Sequence, residues 1–200
     1  MLFDRKTIKQ QLNSQSLVIG YDLGEYDCQI SYATLAGEEP QTLSTVAGGQ
    51  QFNIPTVLCK RFEVNQWFYG KEAVKSAEAK EGIRVDHLLS KARRREVVEV
   101  EDIQFESREL LTLFLKRSFS LLTMITERHN IAAVMITVDQ LDQSLIELLS
   151  EAIKTLPVRE DQILFQSHEE SAFHYMVHQP TELWHHGAAV CDYVGDYLKT

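Results

Sequence analysis

The sequence predicts an α/β fold on one mixed sheet, in which an antiparallel three-strand meander is followed by parallel strand-helix crossovers. Three observations carry that prediction. The apolar run Val18-Ile19-Gly20-Tyr21-Asp22-Leu23-Gly24 is followed at once by a second strand-like run, Cys28-Gln29-Ile30-Ser31-Tyr32. Ile131 to Val138 is a continuous apolar segment of strand length, as a fully buried strand would be. Between and after these runs, apolar residues recur at three- and four-residue spacing, the period of helices that bury one face.

In chain order, residues 1–15 form a polar N-terminal extension with scattered apolar positions, and the fold starts at Ser16. Strands near Ser16 to Leu23 and Asp27 to Leu35 meet at a tight hairpin. A Gly37 to Pro40 turn leads to a third strand around Asn53 to Cys59, with Gly48-Gly49-Gln50-Gln51 as the loop before it. Trp67-Phe68-Tyr69 is a short apolar piece stopped by Gly70, and Lys71 to Ala79 and His87 to Arg95 read as helices. Ser107 is placed to cap a helix running to about Arg128, with Leu111, Phe114, Leu115, Leu122 and Ile125 on one face. After the buried strand, Asp139 and Asp142 stand at the start of a helix that faces Leu145, Leu148, Leu149, Ala152 and Ile153 inward, and Pro157 ends it. Asp161 to Phe165 is another buried strand. A helix from Ser167 to His178 follows, expected to pack Ala172, Phe173, Met176 and Val177. Parallel strands joined by helices cross over right-handedly, so these units extend the same sheet as the hairpin.

Composition narrows the function classes. The 200 residues are 44% hydrophobic, enough for a real core. No run approaches the roughly 20 apolar residues of a membrane helix, and Met1 to Lys6 lacks a secretory apolar stretch, so a cytoplasmic protein is expected, without membrane contact. Cys28, Cys59 and Cys191 are widely spaced in strand-like contexts and read as buried reduced thiols. The formal charge of −9 argues against nucleic acid, because phosphate backbones are held by clustered Lys and Arg. The basic run Lys91-Ala92-Arg93-Arg94-Arg95 is followed directly by Glu96, Glu99, Glu101 and Asp102, a self-neutralising solvated surface.

The hairpin carries the chemistry. A tight turn between strands exposes successive backbone N–H groups that can surround a phosphate, and glycines such as Gly20 and Gly24 let it approach. Asp22, at the strand end, is the candidate ligand of hydrated magnesium. The late histidines His168, His174, His178, His185 and His186 are crowded together, but the zincin spacing fails at Ala172, and they read as a polar face.

The order of elements together with Gly20-Tyr21-Asp22-Leu23-Gly24 resembles the first domain of the actin, sugar-kinase and DnaK-type heat-shock-chaperone ATPase superfamily, a ribonuclease-H-like fold. Ala132 to Val138, a helix, and Ile163 to Ala172 are similar to the chaperone succession of a "VVTVPA" strand, helix, "RIINEPTAAA" strand and helix. Ala188 to Asp196 sits where that superfamily opens its second domain with a second phosphate loop. The resemblance implies a first domain over 16–180, a linker and the start of a second domain over 181–200, and the rest of a nucleotide clamp beyond Thr200. It implies ATP or ADP with magnesium as cofactor, Asp22 positioning the metal, and Gly20, Asp22, Gly24, Glu25, Tyr26, Asp192 and Gly195 around the phosphates. Lys91 falls roughly where chaperones place a catalytic lysine, and the magnesium-side glutamate of "NEP" maps to His168 or Glu169 by one residue of register.

Departures from the pattern weaken the implied chemistry. Glu25 and Tyr26 stand where chaperones carry small hydroxyl residues, and Val194 and Asp196 replace glycines of the second loop. Nucleotide binding with weak or absent hydrolysis is therefore the expectation. The alternatives are a pseudo-ATPase scaffold that binds protein partners and, more weakly, a sugar kinase.

Overall fold

A computed structural model of the chain describes residues 16–37, 39–46, 49–122, 131–154, 158–189, 192–194 and 197–199. Its main sheet runs β11-β10-β1-β2-β3, with β4 also pairing β2. The strands are β1 (Leu17–Leu23), β2 (Asp27–Thr34), β3 (Gln41–Thr42), β4 (Ile54–Pro55), β10 (Ile131–Val138) and β11 (Ile163–Ser167). β1 is the hinge of this order, antiparallel to β2 and parallel to β10, and β10 is parallel to β11. The sheet is thus mixed and the fold α/β, as expected.

Period-two alternation decides the faces. Leu17, Ile19, Tyr21 and Leu23 of β1, Cys28 and Ile30 of β2, and Val134, Ile136 and Val138 of β10 are all buried in one core. That core takes in Leu88, Leu89 and Ala92 of a short helix and the inward faces of two longer ones, α3 (Ser107–Ser120) and α4 (Gln143–Ile153). The longer two contribute Leu110, Leu111, Phe114, Leu115 and Phe119, and Leu145, Leu148, Leu149, Ala152 and Ile153. Each buried Leu or Ile contributes about 1.5–3 kcal/mol of apolar transfer, so this face drives folding. The intervening positions Gly20, Asp22 and Thr137 point away from the core.

Several expected elements differ. The third meander strand does not run Asn53 to Cys59. Pro55 supplies no ladder N–H, the Val57 N–H turns back to the Pro55 carbonyl, and Leu58–Arg61 (β5) leaves for a second sheet, β6-β5-β7. β6 is Trp67–Tyr69 and β7 is Gly82–Val85, and the short helix α1 (Gly70–Glu78) packs on β5. The helix expected at His87 to Arg95 is α2 (Leu88–Arg94), bounded by left-handed His87 and Arg95.

The acidic stretch expected to be plain surface is a hairpin, β8 (Val97–Val100) and β9 (Ile103–Glu106). Its two-residue turn uses Glu101 and Asp102, both at positive φ (52° and 60°), the backbone that a type I′ hairpin turn demands. Glu101 then pairs with the buried Lys60 of β5 and accepts the Glu63 N–H, tying the hairpin to the second sheet.

Ser107 does not cap α3. It is buried, and its hydroxyl donates to the Lys91 carbonyl, while Glu106 occupies the cap position without a side-chain bond. α3 ends at Ser120, with Leu121 and Leu122 in a turn, short of the end expected near Arg128; Ile125, Pro157 and Cys191 lie outside the described residues. Asp142, rather than Asp139, is the N-cap of α4, accepting the Leu145 N–H at 2.9 Å. The last helix, α5 (His168–Val177), carries no buried residue, and Phe173 is exposed rather than packed. β12 (Asp192–Val194) and β13 (Tyr197–Lys199) pair antiparallel in a two-stranded sheet of their own. No helix among the described residues is long and apolar enough to cross a membrane.

Candidate functional site

Asp22 is the last outward-facing residue of β1, and its neighbours follow from register. Thr137 of β10 lies beside it across the parallel ladder, and Gln166 of β11 lies beside Thr137. β11 then passes into α5, and the first helical residue, His168, returns to Asp22. Ser167 caps this junction by accepting the Glu170 N–H, while Glu170 accepts the Ser167 N–H in a reciprocal capping box. That double bond fixes where His168 leaves the strand.

One carboxylate oxygen collects both partners. Thr137 Oγ1 donates to Asp22 Oδ1 at 2.9 Å, and His168 Nε2 lies 2.6 Å from the same oxygen. An ionised carboxylate only accepts, so Nε2 carries the proton in this contact. His168 is largely enclosed (17% exposed side chain) and Asp22 is half open to solvent (53%). Among the described residues no hydrogen bond reaches Asp22 Oδ2. Oδ2 is a hard oxygen donor, and magnesium commonly keeps most of its waters while touching one or two carboxylates, so the donor set fits a hydrated ion held through Asp22 alone. Among the described residues no group of three or more His, Cys, Asp or Glu converges on a metal position.

The hairpin tip is built differently from a phosphate cradle in one respect. The Gly24 N–H donates to the Asp27 carbonyl at 3.0 Å, closing the turn, and a Cβ on Gly24 would stand 2.6 Å from that same oxygen. The glycine is required by the chain's own carbonyl. At Gly20 the atom nearest an added Cβ is Ser31 Oγ, 2.5 Å away on the β2 partner, a side-chain hydroxyl that can rotate aside. Thr56 clamps the tip from outside, its N–H donating to the Tyr26 carbonyl and its hydroxyl to the Gly24 carbonyl.

Glu25 turns onto the start of α2. Its Oε2 accepts the Ser90 N–H at 3.1 Å and its Oε1 lies 3.2 Å from His87 Nδ1. His87 itself occupies the cap position in the left-handed region and gives no side-chain bond, so Glu25 supplies the missing cap from 65 positions away. Tyr26 is 48% exposed and meets the His87 ring edge-on at 5.8 Å.

The remaining candidates are dispersed. Lys91 Nζ donates to the Asp86 carbonyl at 2.8 Å, at the entrance to α2. Glu169 sits in the exposed first turn of α5, where a carboxylate suits the helix dipole. Of the two residues that the register left open, His168 is the one that faces Asp22. Asp192 starts β12, and Gly195 lies outside the described residues. Thr137 went unnoticed in the sequence, although alternation along 131–138 already places it on the outward face. The histidine run does not form a centre: His178 Nδ1 lies 2.6 Å from the His174 carbonyl oxygen, an intrahelical contact.

A search of curated proteins finds no match for the chain. Residues 39–200, most of the chain, match the C-terminal region of a family of unknown function, DUF5716. The chain therefore belongs to the DUF5716 family.

Proposed function

We propose that this chain is the first domain of a divergent actin- or DnaK-like nucleotide-binding protein, which binds ATP or ADP with magnesium at Asp22 and hydrolyses it weakly or not at all. The observation that carries the reading is the position of Asp22. It stands at the carboxyl end of β1, the strand flanked by an antiparallel partner on one side and a parallel one on the other. Open α/β sheets bind ligands at the carboxyl ends of their strands, where the strand order reverses direction. Thr137 and His168 would orient Asp22, leaving Oδ2 for the hydrated ion, whose charge would offset that of the phosphates.

The competing reading is a scaffold that keeps the fold and binds protein partners without nucleotide. It is favoured by the Gly24 N–H being spent on the Asp27 carbonyl, and by His168 occupying one Asp22 oxygen. Calorimetric titration of the full-length protein, second domain included, with magnesium-ATP and magnesium-ADP separates them, with Asp22→Ala as control. Micromolar binding that disappears in Asp22→Ala supports the clamp. No heat of binding from a folded sample refutes it and leaves the scaffold.

A further inference from the structure

A separate concavity of about 480 Å³ opens between the hairpin tip and the second sheet. Its volume lies within the range of small-molecule sites. It uses none of Asp22, Thr137 or His168. Pro55, Val57 and Val74 are the apolar members of its lining. Two rings stand at its wall, Tyr26 and His87, set edge-to-face.

Charge decides what such a cavity would accept. Arg84, the one arginine at the cleft, is neutralised by Asp86, which receives its Nε at 2.7 Å and its guanidinium again at 2.6 Å. Glu25 is engaged by the Ser90 N–H and His87. Asp27 is different: among the described residues its carboxylate accepts no hydrogen bond and forms no ion pair. Asp27 is an exposed residue at the start of β2, and its acid is raised from the ordinary carboxylate value by desolvation, against the opposing field of Lys71. The Lys71 ammonium donates to Gln51 Oε1 instead. A carboxylate without a protein partner that lines one cavity with an exposed tyrosine ring and apolar side chains is suited to an organic cation, whose charge the carboxylate and the ring quadrupole can meet together.

We propose that this cleft binds a small primary amine as its ammonium ion, with the charge against Asp27 and the Tyr26 ring and the apolar body on Val57 and Val74.

Phenethylamine is the probe, and its near-isostere 2-phenylethanol is the uncharged control. The ¹⁵N-labelled chain is titrated with each at fixed pH and ionic strength while amide shifts are followed. The expected result is saturable movement of the Tyr26, Thr56 and His87 amides with phenethylamine. Binding should be at least about ten-fold weaker for 2-phenylethanol, and weaker by a similar factor in Asp27→Asn. Asp27 contributes only its backbone to the hairpin, so Asp27→Asn should keep a native spectrum; the alcohol control tests the role of charge without any substitution. The proposal is overturned if phenethylamine gives no saturable shifts there, if the alcohol binds equally well, or if a folded Asp27→Asn binds unchanged.

Discussion

Glu25 is the residue whose placement discriminates most sharply between the readings. Replacing it with alanine removes the acceptor 3.1 Å from the Ser90 N–H and the contact 3.2 Å from His87. Because His87 is left-handed and lends α2 no side-chain bond, no local group takes over the cap. Loss of an N-cap costs about 1 kcal/mol, and the half-exposed histidine contact adds about 0.5 kcal/mol at most. The total of about 1.5 kcal/mol corresponds to a fall in melting temperature of roughly 3–6 °C for a domain of this size. Glu25→Gln keeps an acceptor for Ser90 and should lose about half as much. Thermal unfolding followed by circular dichroism reads both. The same variants report on the ligand site. A carboxylate about 5 Å from a phosphate charge would oppose binding by about 3 kcal/mol at an effective dielectric of 20, so removing it would tighten binding roughly a hundredfold. The capping geometry turns Glu25 away and predicts magnesium-ATP affinity within about threefold of the parent, since the lost cap acts on stability. An unchanged melting temperature in Glu25→Ala, or a hundredfold gain in affinity, would refute the argument.

Two further outcomes follow from the core. Tyr21 is fully buried, stacks on Phe119 at 4.7 Å and shares a 2.6 Å hydrogen bond with Ser118 Oγ. Tyr21→Phe keeps the ring and should cost about 1 kcal/mol by urea unfolding, with Ser118→Ala non-additive in the double variant; strict additivity would sink the pairing. Burial pushes the Cys28 thiol from its ordinary value of 9.0 up to about 12, and Tyr21 is raised by burial as well. Because the folded value exceeds the unfolded one, the protonated thiol's contribution to stability is complete below about pH 9 and is lost as pH rises toward 12. Urea midpoints should therefore fall between pH 8 and pH 10, and iodoacetamide at pH 8 should leave Cys28 unmodified until the chain is unfolded. Alkylation of native Cys28 at a free-thiol rate would contradict its burial.

The elements read correctly from sequence are those whose signal is local. The limits of β10 and the inward face of α4 follow from uninterrupted apolar runs and three- and four-residue spacing. The misses have equally local reasons. The turn of the β8–β9 hairpin uses Glu101 and Asp102 inside a run of charges, where no Asn-Gly or Asp-Gly flags it, and its strand alternation was masked by the same glutamates. Ser107 has the composition of a cap but spends its hydroxyl on the Lys91 carbonyl, a partner 16 positions back that helix propensity cannot see. Pro55 broke the expected third strand because it has no N–H to give the ladder.

By itself the sequence determined the limits of β10 and the inward faces of α3 and α4, because a buried strand reads as a continuous apolar run and a helix face recurs at three- and four-residue spacing. Only the tertiary structure decided that the last helix buries none of its apolar residues, and what the outward residues Asp22 and Glu25 meet. Glu25 reaches Ser90 across 65 positions and His168 reaches Asp22 across 146. Those meetings depend on the order in which strands join the sheet and on a capping box that aims one histidine. Periodicity carries no information about either, because it records whether a side chain leaves water, not which distant group it finds when it does.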